Sequence, residues 1–160
     1  MNFWQQLFAN RVLLTAAVGW FIAQFLKTVL YLAVHREWNW ERMWGAGGMP
    51  SAHSAMVCSL TVAVGRYSGV SSPLFAVSLM FAFVTLYDAM GVRRETGNHA
   101  RLLNQYLNRT IFPKPSDEDT PEEPPINLKE LVGHTPLEVT GGVILGLAVG
   151  FLMTIRRNMW

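Results

Sequence analysis

Cysteine is almost missing from this chain: Cys58, inside an apolar run, is its one thiol. A single cysteine forms no internal disulfide, makes a poor start for a zinc cage, and leaves the redox compartment open. Charge of one sign is lacking too. The formal net charge is +2, and no basic stripe is interleaved with aromatics, so nucleic acid is not an expected partner. A cleavable leader is not expected either. The apolar run after Arg11 is too long for a signal core, and no small-residue cleavage site follows it.

What is abundant is apolar residues, about half of the 160. They fall in long runs separated by polar stretches, which points away from a soluble globule. The runs cover residues 12–34, 50–67, 73–90 and 136–155. The first, third and fourth have about the length that crosses a bilayer core. The second is short, so it is expected to end near the headgroups or to lie buried among other helices. Trp4, Trp20, Trp38, Trp40 and Trp44 suit the two water–lipid boundaries. Leu102, Leu103, Tyr106 and Leu107 recur at helical spacing and predict a short amphipathic helix. Residues 113–127 are acidic and proline-rich and read as a flexible loop; 128–131 reads as a short helical turn.

The expected fold is therefore all-α, a single domain over residues 1–160. It is a membrane helical bundle of about four spanning or buried helices plus the amphipathic one. Gly142, Gly146 and Gly150 share one face of the last run. In a membrane helix that spacing admits the backbone of a neighbour, and a second copy of the chain is one candidate for it. A soluble helical domain is the alternative, but so many glycines would weaken such a helix in water.

If the four runs are antiparallel neighbours, their polar residues collect at one end. Lys27 closes the first run, Ser51 and His53 open the second, Asp88, Arg93 and Arg94 close the third, and His134 and Glu138 open the fourth. Charge within a membrane is costly, so these groups are expected to meet one another or a water-filled cavity. Two imidazoles, a serine and several cations at one focus suit a phosphate monoester.

The segment Gly47-Gly48-Met49-Pro50-Ser51-Ala52-His53-Ser54 reads as a flexible turn into a helix, with Pro50 at the helix start. A helix N-terminus attracts anions, and His53 can donate a proton near neutral pH. An ordinary capped helix with a satisfied histidine explains the same residues. Gly133-His134-Thr135-Pro136-Leu137-Glu138 also has two readings. Thr135 and Glu138 form a capping box around Pro136. Alternatively, Glu138 orients one imidazole nitrogen of His134 and leaves the other free to attack phosphorus.

Taken in order, these motifs resemble the type 2 phosphatidic acid phosphatase superfamily, and most closely its divergent membrane branch, related to acid phosphatases and vanadium-dependent haloperoxidases. Pro50-Ser51-Ala52-His53 resembles the P-S-G-H motif, with Ala52 in place of the glycine. His134 through Glu138 resembles the H-x-x-x-D motif, with Glu138 in place of the aspartate. Tyr87-Asp88-Ala89-Met90-Gly91-Val92-Arg93-Arg94 resembles a signature of the divergent branch. The arginine motifs differ. No Arg-Pro follows Lys27, where Arg42 is a stand-in, and Leu128, beside Lys129, occupies another arginine position that Arg93 or Arg94 would replace.

The resemblance implies the helical core of that superfamily and a phosphatase of lipid or isoprenoid phosphate esters. His134 would be the nucleophile, Glu138 its orienting group, and His53 the acid for the leaving oxygen. Lys27, Ser51, Arg93, Arg94 and Arg42 would bind phosphate oxygens, with Asp88 in support. The implied phosphatase needs no metal or cofactor, and vanadate would mimic phosphate. The altered arginines motivate an alternative, a weakly active or inactive membrane protein that binds an anionic headgroup or a partner. A transporter fits less well, because four short spans leave little room for alternating access. The expected location is a bacterial plasma membrane, with the polar end on the cytoplasmic side by its excess of Lys and Arg.

Overall fold

The computed structural model describes residues 2–36, 48–107, 128 and 133–155. Among these the fold is all-helical: α1 (Phe3–Ala9), α2 (Arg11–His35), α3 (Ala52–Ser68), α4 (Pro73–Met90), α5 (Val92–Tyr106) and α6 (Pro136–Ile155). The helix starts follow their local chemistry. Asn2, Asn10, Ser51 and Ser72 each cap the following helix with a side-chain oxygen. Pro73 fills the first turn of α4, where its missing N–H has no intrahelical acceptor anyway. The proline-rich loop 113–127, with Arg42, Lys129, Trp38, Trp40 and Trp44, lies outside the described residues.

Among the described residues three segments are long and apolar enough to cross a membrane: Arg11–Val34, Pro73–Tyr106 and Pro136–Thr154. Helix α3 is the short one, and it sits in the middle, packed on α2, α4 and α6. Most of its buried residues are small, Ala52, Ser54, Ala55, Ser59 and Ala63 among them, with Val57, Cys58 and Thr61 beside them. The glycines of the flanking helices close on them. A Cβ at Gly146 would lie 2.5 Å from the Ala55 carbonyl oxygen and 2.8 Å from Cys58 Cβ; one at Gly150 would lie 2.6 Å from Val62 Cβ. Gly19 of α2 meets Ser59 and the Ala55 carbonyl in the same way. Lipid tails are as apolar as leucine, so association here rests on such close packing rather than on expulsion of water.

The glycine face of the last helix therefore has its neighbour inside the chain. Gly142, Gly146 and Gly150 are covered by α3, and the expectation that this face would serve a second copy is corrected on that ground. Trp20, half-buried, packs on Ala23, Ala52 and Ala55 inside the bundle. Trp4 is exposed, as a boundary residue would be.

Two elements depart from the sequence reading. Helix α1 precedes the first run. The amphipathic helix also begins at Val92, well before its leucines, and follows α4 across Gly91. Its buried face is built from Gly97, Ala100 and Asn104, a small and polar set that hydrophobic periodicity does not register. Asn104 bonds both backbone groups of Leu128, at 2.9 Å each.

Candidate active site

Three backbone contacts bring the polar ends together. The Ser51 N–H donates to the Glu138 carbonyl at 3.0 Å, joining the start of α3 to the first turn of α6. The His134 N–H donates to the Ala89 carbonyl, also at 3.0 Å, joining the segment before α6 to the end of α4. Gly133, at φ 90°, lies against the backbone of Arg93 and Arg94 so closely that a Cβ would sit 2.5 Å from the Arg94 nitrogen. A left-handed residue with no room for a side chain must be glycine. Gly48, also left-handed at φ 87°, rests on the aliphatic stem of Lys27. The ends of α2 and α4 thus share one side with the starts of α3 and α6.

His134 is buried, with 4% of its surface exposed. Its Nδ1 lies 3.1 Å from Glu138 Oε2. The same oxygen accepts from the Thr135 N–H at 3.0 Å, and Thr135 Oγ1 accepts from the Glu138 N–H at 3.3 Å. The capping box and the histidine contact therefore coexist on one carboxylate. With Nδ1–H donating to Glu138, Nε2 carries the free lone pair. The rings of His53 and His134 stand edge to face, 6.3 Å between centroids and 61° between planes.

His53 and His134 line a small cavity with Thr85, Asp88, Ala89, Arg93 and Gly133. Its volume is about 40 Å³, room for roughly three waters at about 10–15 Å³ each. Arg93 Nε donates to Asp88 Oδ2 at 2.6 Å at the half-exposed rim. Burial pushes both imidazoles below the ordinary histidine value of 6.5. For His53 the positive charges of His134, Arg93 and Lys27 add to this, and Asp88 opposes them. For His134 the Glu138 hydrogen bond and charge oppose burial, while Lys27 and Arg93 act with it.

The expected residues thus divide. His53, His134, Asp88 and Arg93 meet at the cavity, and Glu138 stands directly behind His134. Lys27 is buried and close enough for its charge to bear on both rings, though outside the cavity wall. Ser51 is fully buried and acts as the cap of α3, with its oxygen accepting from Ser54 Oγ at 2.9 Å. Arg94 is exposed and is not among the lining residues. Arg42 lies outside the described residues. Sequence reading missed Thr85 and Gly133. Thr85 is three residues before Asp88, one turn away on α4, and that spacing was its available signal.

The "Divergent PAP2 family" matches residues 8–149, spanning every element that builds this cavity. The chain belongs to that family. A curated relative, "Uncharacterized membrane protein YuiD" of Bacillus subtilis (strain 168), is 36% identical over 156 residues, 92% of this chain and 96% of the relative. No solved structure matches significantly. With its three candidate spans and a membrane-protein relative, this divergent PAP2 protein is an integral membrane protein.

Proposed function

We propose that this protein is a membrane phosphatase that hydrolyses lipid or isoprenoid phosphate esters through a phosphohistidine. The observation that carries the reading is the pair of imidazoles on one small cavity, with Glu138 fixing Nδ1 of one of them. In the first step His134 Nε2 attacks phosphorus, a P–N bond forms and the ester P–O bond breaks. His53 gives the departing oxygen its proton. Water then attacks the phosphohistidine, its proton passes to His53, the P–N bond breaks, and inorganic phosphate leaves.

The electrostatics support this assignment. Without substrate, both rings are biased toward the neutral form, which the nucleophile requires. An arriving phosphate dianion reverses the local field and favours the protonated His53 that the leaving group requires. Arg93 and Lys27 offset the charge that develops on the phosphoryl oxygens.

The test is phosphate release from long-chain alkyl phosphate, phosphatidic acid and prenyl phosphate by purified protein in detergent. Wild type should release phosphate and form an acid-labile, base-stable phosphoprotein. His134→Ala should abolish both, and equal rates for the two proteins would reject the nucleophile.

A second reading is favoured by the Asp88–Arg93 ion pair, which partly neutralises the arginine at the cavity. On that reading the protein binds an anionic headgroup without turnover. Phosphate or vanadate binding with no product from any ester would support it. Location in a bacterial plasma membrane, with the cavity facing the cytoplasm, is part of the proposal and rests on the excess of Lys and Arg at this end.

A further inference from the structure

A second cavity lies deeper, between α3, α4 and α6. Cys58, Thr61, Val62, Leu79, Ala82, Phe83, Leu86 and Leu147 line it, its volume is about 160 Å³ and its walls are almost wholly apolar. An apolar cavity of roughly 150 Å³ in a protein interior is large enough to take a benzene ring.

This pocket shares its two principal walls with the histidine cavity. On α4 the residues Ala89, Leu86, Ala82 and Leu79 are spaced three, four and three apart, one stripe on one face. Ala89 lines the histidine cavity, and the other three line the apolar pocket. On α3 His53 and Thr61 are eight residues apart on one face and likewise line one cavity each. At 1.5 Å per residue, the step from Ala89 to Leu86 is about 4.5 Å, and the stripe reaches about 15 Å below Ala89. That descent runs from the polar end of the bundle into the depth of the apolar helices. Thr61, the polar member, is satisfied: its Oγ1 bonds the carbonyls of Val57 at 2.8 Å and Ser78 at 3.2 Å. Apart from the weakly polar thiol of Cys58, the wall therefore presents apolar surface. Phe83 is well exposed on the outer side of α4, the side from which a lipid-borne molecule arrives.

We propose that this pocket holds the first part of the hydrocarbon chain of the phosphate ester whose head group occupies the histidine cavity. The inference rests on reading that cavity as a phosphate-ester site. The substrate class is then an ester of a single slim apolar alcohol, alkyl or prenyl. Because the chain is already surrounded by lipid, the pocket gains little from removing it from water. Its effect is positional: a chain seated along the Leu79–Leu86 stripe holds the phosphorus at the height of the two imidazoles.

Two measurements test this. In the first, full-length protein in detergent is photolysed with a non-hydrolysable alkyl phosphonate carrying a mid-chain diazirine, and adducts are mapped by mass spectrometry. Adducts within residues 58–62 and 79–86, displaced by long-chain alkyl phosphate and not by butyl phosphate, are expected. Adducts scattered over the outer faces, indifferent to competitor, would overturn the assignment. In the second, kcat/KM for dodecyl and butyl phosphate is compared between wild type and Ala82→Phe. The dodecyl-to-butyl ratio should fall at least tenfold in the variant. Hydrolysis with an unchanged ratio would overturn the pocket and leave the phosphatase standing. No hydrolysis by wild type would reject the phosphatase, and the photolabelling result would then decide the pocket alone.

Discussion

Replacing Gly142 by alanine tests whether the packing of α6 on α3 sets the geometry of the histidine cavity. A Cβ at Gly142 would strike the Ser51 carbonyl oxygen and stand 2.8 Å from Ser54 Cβ. Carbon atoms in good contact stay about 3.5–4.0 Å apart, so the two helices must separate by roughly 1 Å. Overpacking of this kind costs about 1–3 kcal/mol. Alanine in a helix returns up to ~1 kcal/mol relative to glycine, so the net loss is about 0–2 kcal/mol. The neighbouring glycine supplies the control. At Gly141 a Cβ would meet only the end of the flexible Met49 side chain, at 3.2 Å, with Pro50 Cβ further off at 3.8 Å. Gly141→Ala keeps the propensity gain with little of the clash. The two variants should therefore differ by about 1–3 kcal/mol, roughly 2–12 °C in melting temperature on the scale of soluble chains of this size. Activity should respond more sharply. Ser51 is two residues from His53, and a misplacement of ~1 Å at a reacting group can lower turnover by about 10²-fold. The assays are thermal unfolding followed by tryptophan fluorescence in detergent, and phosphate release. If Gly142→Ala melts and turns over like Gly141→Ala, the tight α3–α6 contact does not position the site.

Further outcomes follow from the same geometry. Gly133→Ala forces a Cβ into the Arg94 backbone at a left-handed position, and it should lower the melting temperature more than Gly142→Ala does. Glu138→Gln exchanges a charge-assisted hydrogen bond to His134 for a neutral one, and phosphate release should drop at least about tenfold. Both histidines sit below 6.5 in the folded protein, so the unfolded chain binds more protons between the folded value and 6.5. Melting temperature should be flat above pH ~6.5 and fall as pH drops below it, with His53→Gln reducing the slope; a melting temperature rising toward pH 5 would contradict the burial argument.

Much of this arrangement was legible from the sequence because membrane helices announce themselves as long apolar runs. The four runs coincide closely with α2, α3, α4 and α6. Their alternating direction alone was enough to gather Lys27, His53, Asp88 and His134 at one end. The double use of Glu138 was foreseen as two competing readings, and the structure reconciles them through one shared oxygen. What stayed hidden lacked an apolar signature. The buried face of α5 is Gly97, Ala100 and Asn104, so its start could not be read from leucines. Gly142, Gly146 and Gly150 were recognised as a contact face, but glycine spacing cannot say whether the neighbour is the same chain or another. Ser51 carries a hydroxyl that suits both a phosphate and a helix cap, and the Ser54 N–H that donates to it shows the cap.

The joint at Gly91 has a consequence of its own. In an uninterrupted helix the Ala89 carbonyl would receive the amide of Arg93, four residues on; because α4 ends at Met90, that oxygen receives the amide of His134 instead. One acceptor thus has two claimants, and straightening the elbow would hand it back to the helix. The seat of His134 is on loan from a broken turn.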